Sequence, residues 1–304
     1  MGLLEDLKKE QSWRSFYEYK LEKQHLTKQD EQALLYFIEE KRYLKPVQKL
    51  LAGNMCFDYP TKKLVNKMNS TKKRTVYMFA EEETWILKLM SYLLFRYDAL
   101  MPDNLYSFRK KHGVKQAIRH LVNTQGIDEM YYYKVDISNY FNSIDINLLL
   151  PMLRQIMKED MTLYSFFENL LTADLAYYEG SLIQEKRGIM AGCPIAPFLA
   201  NVYLMELDRQ FHMEQVVYAR YSDDIICFAK TQSMRDTYRD RILQMIEEKG
   251  LSVNPEKEKM SAAGQMWEFL GFSYQKGQID LSDATLQKMK GKIRRKARAI
   301  YRWR

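Results

Sequence analysis

The chain has 304 residues, of which 46% are hydrophobic, enough to bury the core of one elaborate domain or two modest ones, so it is not a disordered tail. The net charge of +8 favours a polyanionic partner such as a nucleic acid. No apolar run reaches the roughly 18 residues of a membrane span, and Cys56, Cys193 and Cys227 lack the close pairing of a zinc site or disulfide framework. We therefore expect a cytoplasmic protein without a membrane partner.

The first third of the chain predicts helices followed by a basic hairpin. Thr27 and Asp30 form a capping-box arrangement at the start of a helix. A strand-like run, 75–79, follows a group of cations. These cations are Lys62, Lys63, Lys67, Lys72, Lys73 and Arg74.

The middle of the chain predicts a strand over 130–137 that ends near a carboxylate. Strand alternation places Lys134 and Asp136 on the same face. Asp145 can cap the helix that follows, and Pro197 suits the first turn of a later helix.

Asp223 and Asp224 separate two apolar runs, 216–221 and 225–229, so they fall where a hairpin turns. Ser233 is then predicted to open another amphipathic helix. The order strand, helix, helix, hairpin, helix predicts an α+β fold with an antiparallel sheet.

A hairpin beside the first strand would bring Asp136, Asp223 and Asp224 together. Three such carboxylates repel one another unless cations lie among them, and Mg²⁺ prefers oxygen ligands. Two ions about 3.5–4 Å apart can activate an attacking hydroxyl and stabilise a leaving oxygen. The alternatives are that the Asp-Asp pair only forms a turn and that Asp136 only caps a helix.

Together these segments resemble the palm of reverse transcriptases of the bacterial and group II intron type. Residues 134–144 resemble the first catalytic motif of that family. The resemblance implies that Asp136 and Ile137 bind metal and that Phe141 excludes a ribose 2′-hydroxyl. Residues 221–224 match the family's Tyr-x-Asp-Asp signature, which implies roles for Tyr221, Asp223 and Asp224 at the nucleotide and metals.

Four further segments resemble family motifs in the expected order. Residues 188–201, including Gly192, resemble the loop and helix that contact template and nucleotide. Residues 250–257 resemble the motif whose lysine, here Lys257, protonates pyrophosphate. Phe269, Leu270 and Gly271 resemble the primer grip, and Lys73 and Arg74 the basic pair that meets the triphosphate.

The resemblance implies a right-hand polymerase fold in four parts. These are an N-terminal helical region (1–60), fingers (61–129), a palm (130–280, with 150–190 partly fingers), and a basic helical start (281–304) of a short or truncated thumb. It implies an RNA-directed DNA polymerase that uses two Mg²⁺ ions, with Mn²⁺ as an alternative. The implied partners are an RNA template, a DNA or protein primer, deoxynucleotides, a structured noncoding RNA and a partner protein or second copy.

One departure from the family pattern is informative. The family usually has Pro-Gln before the Gly-Ser-Pro of the second motif, whereas this chain has Met190 and Ala191 before Gly192. The loss of the glutamine amide favours a divergent branch, such as the bacterial abortive-infection and defence-associated enzymes. It also leaves open synthesis without a template. A further alternative is an inactive palm that serves as an RNA-binding subunit.

The C-terminal segment carries most of the positive charge. Residues 288–304 contain nine Lys or Arg and no acid, so the rest of the chain has a net charge of 8 − 9 = −1. A solvated basic helix is one interpretation. Contact with nucleic acid is the one we favour, because the cations would otherwise repel one another.

Overall fold

The computed structural model describes residues 2–23, 26–53, 57–66 and 73–302. The helices are α1 (Leu3–Asp6), α2 (Glu10–Glu22), α3 (Lys28–Glu39), α4 (Leu44–Leu51), α5 (Glu81–Leu93), α6 (Val114–Val122), α7 (Tyr140–Ser143), α8 (Ile146–Ile156), α9 (Met161–Thr172), α10 (Ala196–Tyr203), α11 (Met205–Met213), α12 (Gln232–Glu248) and α13 (Asp283–Arg302). The strands are β1 (Thr61–Asn66), β2 (Lys73–Met78), β3 (Tyr131–Asp136), β4 (Leu175–Tyr178), β5 (Ser181–Gln184), β6 (Val217–Tyr221), β7 (Asp224–Ala229), β8 (Lys259–Met260), β9 (Trp267–Phe269), β10 (Phe272–Gln275) and β11 (Gln278–Leu281). Short 3₁₀ segments cover Leu94–Leu100, Ile127–Glu129 and Pro255–Lys257.

The chain forms two compact units. The first contains Met1–Leu100, Asn139–Met205 and Lys249–Leu251. Its sheet has the strand order β2-β1-β4-β5, in which β1 and β2 are antiparallel and β1 and β4 are parallel. The predicted basic hairpin is therefore confirmed as β1–β2, although Lys67 and Lys72 lie outside the described residues.

The second unit contains Met101–Ser138, Glu206–Glu248 and Ser252–Arg304. Its main sheet is antiparallel, with the order β6-β7-β3-β8, and a smaller antiparallel sheet has the order β11-β10-β9. Helix α12 packs on β3 and β7, and α6 packs beside β6. The predicted α+β class, the strand before Asp136 and the hairpin at Asp223 are confirmed.

The predicted helix starts are mostly correct. Thr27 Oγ1 accepts a hydrogen bond from the Asp30 amide, and Asp145 caps α8 through the Asn147 amide. The prediction for Ser233 was wrong, because α12 begins at Gln232 and Thr231 Oγ1 accepts from the Met234 amide at 3.2 Å.

Two of the three cysteines are small buried residues. Cys193 and Cys227 are free and buried, whereas Cys56 lies outside the described residues. Within the described ranges, no helix combines the length and apolar character that crossing a membrane would require.

A buried ion pair fixes α11 against the main sheet of the second unit. The side chains of Arg220 on β6 and Asp208 on α11 are both fully buried. Arg220 Nε donates to Asp208 Oδ1 at 2.8 Å, and the Tyr218 hydroxyl donates to the same oxygen at 2.9 Å. Arg220 Nη1 also donates to the Ser222 carbonyl at 3.1 Å, so the pair also supports the turn that carries the acids.

We predict that Asp208→Asn lowers the free energy of unfolding by about 3–5 kcal/mol, because it leaves the Arg220 charge buried without its counter-ion. Urea unfolding should measure this loss. The exposed pair of Arg241 and Glu214 provides the control, since Glu214→Gln should cost less than about 1 kcal/mol. Equal losses in the two variants would contradict the prediction.

Candidate active site

The strand register of the second unit brings the carboxylates of distant segments together. Strands β3 and β7 are antiparallel neighbours, and Asp136 pairs directly with Asp224. The Ile137 amide donates to the Asp223 carbonyl at 3.0 Å, which continues the ladder beyond the strand end. The sheet therefore places Asp136 beside the acid doublet, as the sequence predicted.

The turn between β6 and β7 has a strained but well-supported backbone. Ser222 has a φ of +62°, in the left-handed region that non-glycine residues rarely adopt. Its amide donates to Ser107 Oγ at 2.9 Å. Tyr221, the first residue of the signature, packs against Phe108 with ring centroids 6.1 Å apart.

A third segment brings a lysine to the carboxylates. The Asn254 amide donates to the Asp136 carbonyl at 2.8 Å, and Asn254 Oδ1 caps the following 3₁₀ turn. This turn places Lys257 Nζ 2.6 Å from Asp136 Oδ2. The lysine that the sequence assigned to proton transfer therefore contacts the first predicted metal ligand directly.

Lys134 is a second lysine at the site, and its role was missed at the sequence level. Its Nζ lies 3.4 Å from Asp224 Oδ1 and 5.8 Å from the centroid of the Phe269 ring. The signal was present, because alternation had already placed Lys134 on the face of Asp136. Each strand-end carboxylate therefore has a lysine of its own.

The charges at the site are tightly coupled. Burial raises the pKa of Asp223, and the Asp136 charge raises it further. Burial, with Asp136 and Asp223, raises the pKa of Asp224 to about 6 against the opposing effect of Lys134. Burial lowers the pKa of Lys257, but its hydrogen bond with Asp136 and the nearby carboxylates raise it above the ordinary value overall. Burial and mutual repulsion therefore both disfavour the charged forms of Asp223 and Asp224.

The donor set fits a hard divalent cation. Asp136 and Asp223 offer carboxylate oxygens, and the buried Oδ1 of Asp224 faces only the looser ion pair with Lys134 Nζ at 3.4 Å. In the part of the chain that the structure describes, however, no group of three or more His, Cys, Asp or Glu side chains is arranged to hold a metal ion. Lys257 and Lys134 lie against oxygens of Asp136 and Asp224.

The predicted primer grip is a tight hairpin turn in the second unit. Leu270 and Gly271 connect β9 to β10 with φ values of +52° and +86°. A Cβ at Gly271 would lie 2.7 Å from Thr285 Oγ1, so both the backbone and the space favour glycine there. The Gly271 carbonyl accepts from the Ser282 amide at 2.9 Å, which links the turn to the start of α13.

The predicted nucleotide-binding residues Phe141 and Gly192 belong to the first unit. Phe141 lies in α7, and its carbonyl accepts from the Ile189 amide at 2.9 Å. Gly188 has a φ of +54°, and a Cβ there would lie 2.5 Å from the Phe141 carbonyl oxygen. Only glycine allows this loop to approach the backbone of Phe141 so closely.

Asn142 was also missed at the sequence level. Its Oδ1 accepts from the Ala191 amide at 3.0 Å, and its Nδ2 donates to the Thr75 carbonyl at 3.2 Å. The Tyr77 amide donates to the Ala191 carbonyl at 2.8 Å, and Gly192 packs on the Tyr77 backbone. Asn142 therefore joins α7, β2 and the glycine loop.

The predicted basic pair lies on the same strand. Lys73 and Arg74 are exposed on β2, where they pair with Asn66 and Val65 of β1. Their side chains are therefore available to an anion.

Residues 65–274 match the family model described as "Reverse transcriptase (RNA-dependent DNA polymerase)". The chain belongs to the reverse transcriptase family. No curated protein matches the sequence of this reverse transcriptase.

Solved telomerase structures share the fold. Apo telomerase from Candida tropicalis, truncated from its C-terminal domain, has a TM-score of 0.59 at 13% identity over 74% of this chain and 55% of that one. The apo C. tropicalis telomerase has a TM-score of 0.56 at 14% identity, over 75% of this chain and 49% of that one. Telomerase from Candida albicans with a fragment of telomeric RNA has a TM-score of 0.54 at 12% identity, over 73% of this chain and 46% of that one. The chain thus spans about half the length of these telomerases.

The family match and these structures confirm the predicted fold, an α+β reverse transcriptase palm with an antiparallel sheet. The group II intron branch, the domain boundaries and the roles of the individual site residues stay predictions.

We predict that Asp224→Asn stabilises the protein at neutral pH when divalent ions are removed with EDTA. The folded pKa of Asp224, about 6, lies above its ordinary value of 3.8. The protonated carboxyl therefore stabilises the folded state, fully below about pH 4, and this stabilisation is lost as the pH rises through about 6. The variant should therefore unfold with a free energy higher by on the order of 2 kcal/mol at pH 7.5, and the gain should shrink by pH 4.5. Urea unfolding at both pH values measures it.

Asp240→Asn is the control, because this aspartate is exposed on α12. A gain for Asp224→Asn that does not change with pH would show that the carboxylate is not strained by its neighbours.

Proposed function

We propose that this reverse transcriptase is an RNA-directed DNA polymerase that extends a primer with deoxynucleotides. One observation carries the proposal. Asp136 and Asp224 pair on neighbouring strands, Asp223 lies in the turn just before Asp224, and Lys257 Nζ contacts Asp136 Oδ2 at 2.6 Å. A nucleotidyl transferase needs this combination, because the reaction uses oxygen ligands for cations and a proton donor for the leaving group.

Asp136 and Asp223, with Asp224 and the Ile137 carbonyl beside them, would hold two Mg²⁺ or Mn²⁺ ions. When bound, these ions supply activation of the primer hydroxyl and charge stabilisation at the α-phosphate. Lys257 carries the proton at Nζ, and its raised pKa keeps it protonated at neutral pH. Its part is to donate that proton to departing pyrophosphate. Lys134 holds Asp224 through their ion pair.

The first unit would select the nucleotide. Phe141 is the proposed steric gate against a 2′-hydroxyl, and the close packing of Gly188 on its backbone supports a fixed position for the gate. Lys73 and Arg74 would meet the triphosphate, which their exposure on β2 allows. Gly192 would lie beside the nucleotide.

The proposed partners are an RNA template, a DNA or protein primer and a structured noncoding RNA. The family supports an RNA template, as does the C. albicans telomerase, described in complex with telomeric RNA. We further propose a bacterial cytoplasmic protein that serves antiviral defence, together with a partner protein or a second copy. The substitution of Met190 and Ala191 for the usual Pro-Gln supports this divergent branch.

The same substitution favours a second candidate, in which this site extends ends without a template or starts on a protein side chain. The glutamine amide that normally helps to hold nucleotide and template is replaced by the methyl group of Ala191. The backbone of Ala191 is nevertheless held on both sides, by Asn142 and Tyr77, so the loop itself is ordered.

We predict that Asp223→Asn reduces deoxynucleotide incorporation at least about 100-fold on an RNA template with an annealed DNA primer, because one metal-binding carboxylate is lost. RNA affinity should change little, because the substitution removes no cation. Gel analysis of primer extension and a filter-binding assay measure the two quantities. Asp240→Asn is the matched control and should keep full incorporation.

Three outcomes separate the candidates. Extension that needs RNA and follows its sequence supports the leading proposal. Homopolymer formed from one deoxynucleotide without RNA supports synthesis without a template. A biological activity that survives Asp223→Asn would instead support an inactive palm that binds RNA.

We predict that Phe141→Ala raises the incorporation of ribonucleotides relative to deoxynucleotides by about tenfold or more, because it removes the ring that would contact the 2′-hydroxyl. Single-nucleotide extension with both sugars measures the ratio. Tyr140→Phe is the neighbouring control, since it keeps the ring and removes a hydroxyl that donates to the Ala200 carbonyl. An unchanged sugar ratio in Phe141→Ala would place the gate at another residue.

A further inference from the structure

The first unit contains a cavity that is lined entirely by its own residues. Its volume is about 510 Å³, and it is formed by residues 142–147, 171–174 and 185–188 together with Gly250. The first of these segments directly follows Phe141, and the third leads into Gly188. The cavity is therefore built from the segments that fix the proposed sugar gate.

Arg187 is an unusual member of this lining. Only 5% of its surface is exposed, and its Nη1 is buried without a hydrogen-bond partner. Among the ion pairs of the described residues, none includes Arg187. A guanidinium in this position is costly, because burial removes its water. The charges of Asp174 and Glu185 offset this only in part, since burial still lowers the pKa of Arg187 overall. A buried donor without a partner calls for one, and a bound ion can supply it.

The carboxylates at the cavity are each held by another group. Asp145 Oδ1 accepts from the Asn147 amide at 2.8 Å. Asp174 accepts from Gln184 Nε2 at 2.6 Å.

Glu185 Oε1 accepts from Lys62 Nζ at 2.5 Å, and the Tyr77 hydroxyl lies near enough for Glu185 to raise the pKa of Tyr77. Each of these carboxylates has a partner other than Arg187, although Glu185 Oε2 is buried without one. Lys186 adds an exposed positive charge beside Arg187. None of these oxygens accepts a hydrogen bond from Arg187 Nη1, so an anion from outside the chain can complete it.

We propose that this cavity binds a phosphate group through the guanidinium of Arg187. Arginine presents a planar pair of donors that matches two phosphate oxygens. The choice of phosphate over other anions rests on the proposed nucleotide chemistry of this protein, whereas the anion site itself does not. The phosphate belongs either to a free polyphosphate, such as pyrophosphate or a nucleotide, or to the 5′ end of a nucleic acid strand.

The test compares Arg187→Met with Lys186→Met, which removes the same charge from an exposed neighbour. Binding is measured in EDTA, so that neither polymerisation nor metal is required. The first probe is pyrophosphate, whose binding is measured by calorimetry. The second is one single-stranded RNA that carries either a 5′-phosphate or a 5′-hydroxyl, and its binding is measured by fluorescence anisotropy. Because no synthesis is involved, failure here is distinct from failure of the polymerase assay.

Arg187→Met should weaken binding of the phosphate probe at least about tenfold, and Lys186→Met less than about threefold, because only Arg187 is buried at the site. Arg187→Lys should fall between wild type and Arg187→Met, since it keeps the charge without the planar fork. Loss of pyrophosphate binding assigns the site to a free polyphosphate. Loss of the preference for the 5′-phosphorylated strand assigns it to a strand end.

The stability of the ligand-free protein provides the second measurement. Arg187→Met should melt at the wild-type temperature or above it, because it removes a buried charge that forms no ion pair among the described residues. A large drop in melting temperature, or failure to fold, would make Arg187 a structural residue and overturn the proposal. Unchanged affinity of Arg187→Met for both probes would overturn it as well.

Discussion

The antiparallel pairing of β3 with β7 is the constraint on which the candidate site depends. Asp136 and Asp224 are partners in that register, and a slip of one residue would turn one of them to the other face of the sheet. The apolar residues of both strands set the register through burial. The core of the sheet therefore provides the energy that forces like charges together, and the charges themselves oppose the fold.

Lysines reduce this opposition. Lys257 lies on Asp136, and Lys134 lies beside Asp224. Asp223 has neither lysine as an ion-pair partner within 4 Å, and burial together with Asp136 raises its pKa. Two of the three carboxylates are thus balanced by a lysine, and the third is not. Such a site is suited to accept a cation, because an incoming ion relieves a repulsion that already exists.

The first unit fixes its proposed nucleotide-binding residues by backbone contacts. Asn142 bonds the Ala191 amide and the Thr75 carbonyl, and Gly188 lies against the Phe141 carbonyl. Neither contact depends on the identity of the residues at 190 and 191. The loop is therefore held by contacts that do not need the Pro-Gln pair usual in the family.

Much of the fold followed from local patterns. Alternation predicted β3, the two apolar runs predicted the hairpin, and the cap residues Thr27 and Asp145 were correct because a side-chain oxygen beside a free amide is a local property. Ser233 was wrong for the same local reason. Thr231 is an equally good cap two residues earlier, and the sequence contains nothing to choose between them.

The parts that were missed are long-range. The pairing of Arg220 with Asp208 joins a strand to a helix, and Asn142 and Arg187 depend on loops that meet only in the folded chain. Lys134 lies between these cases, since alternation gave its face but only the register gave its partner. Residue type and period thus predict elements, whereas the chemistry of a site depends on register.

Charge is divided within the second unit in a way that fits the proposed function. Its sheet gathers carboxylates, whereas α13 holds every cation of residues 288–304 except Arg304 and buries none of its residues. Lys288, Lys292 and Lys296 follow at four-residue intervals, and like charges at this spacing destabilise an isolated helix by roughly 0.2–0.5 kcal/mol per pair. Packing does not offset this repulsion, because α13 has no buried residue. A polyanion beside the helix would offset the repulsion, since each phosphate contact releases a condensed counterion. The proposed function calls for both a site for cations and a surface for phosphates, because its substrate is a nucleic acid and its reaction needs metal.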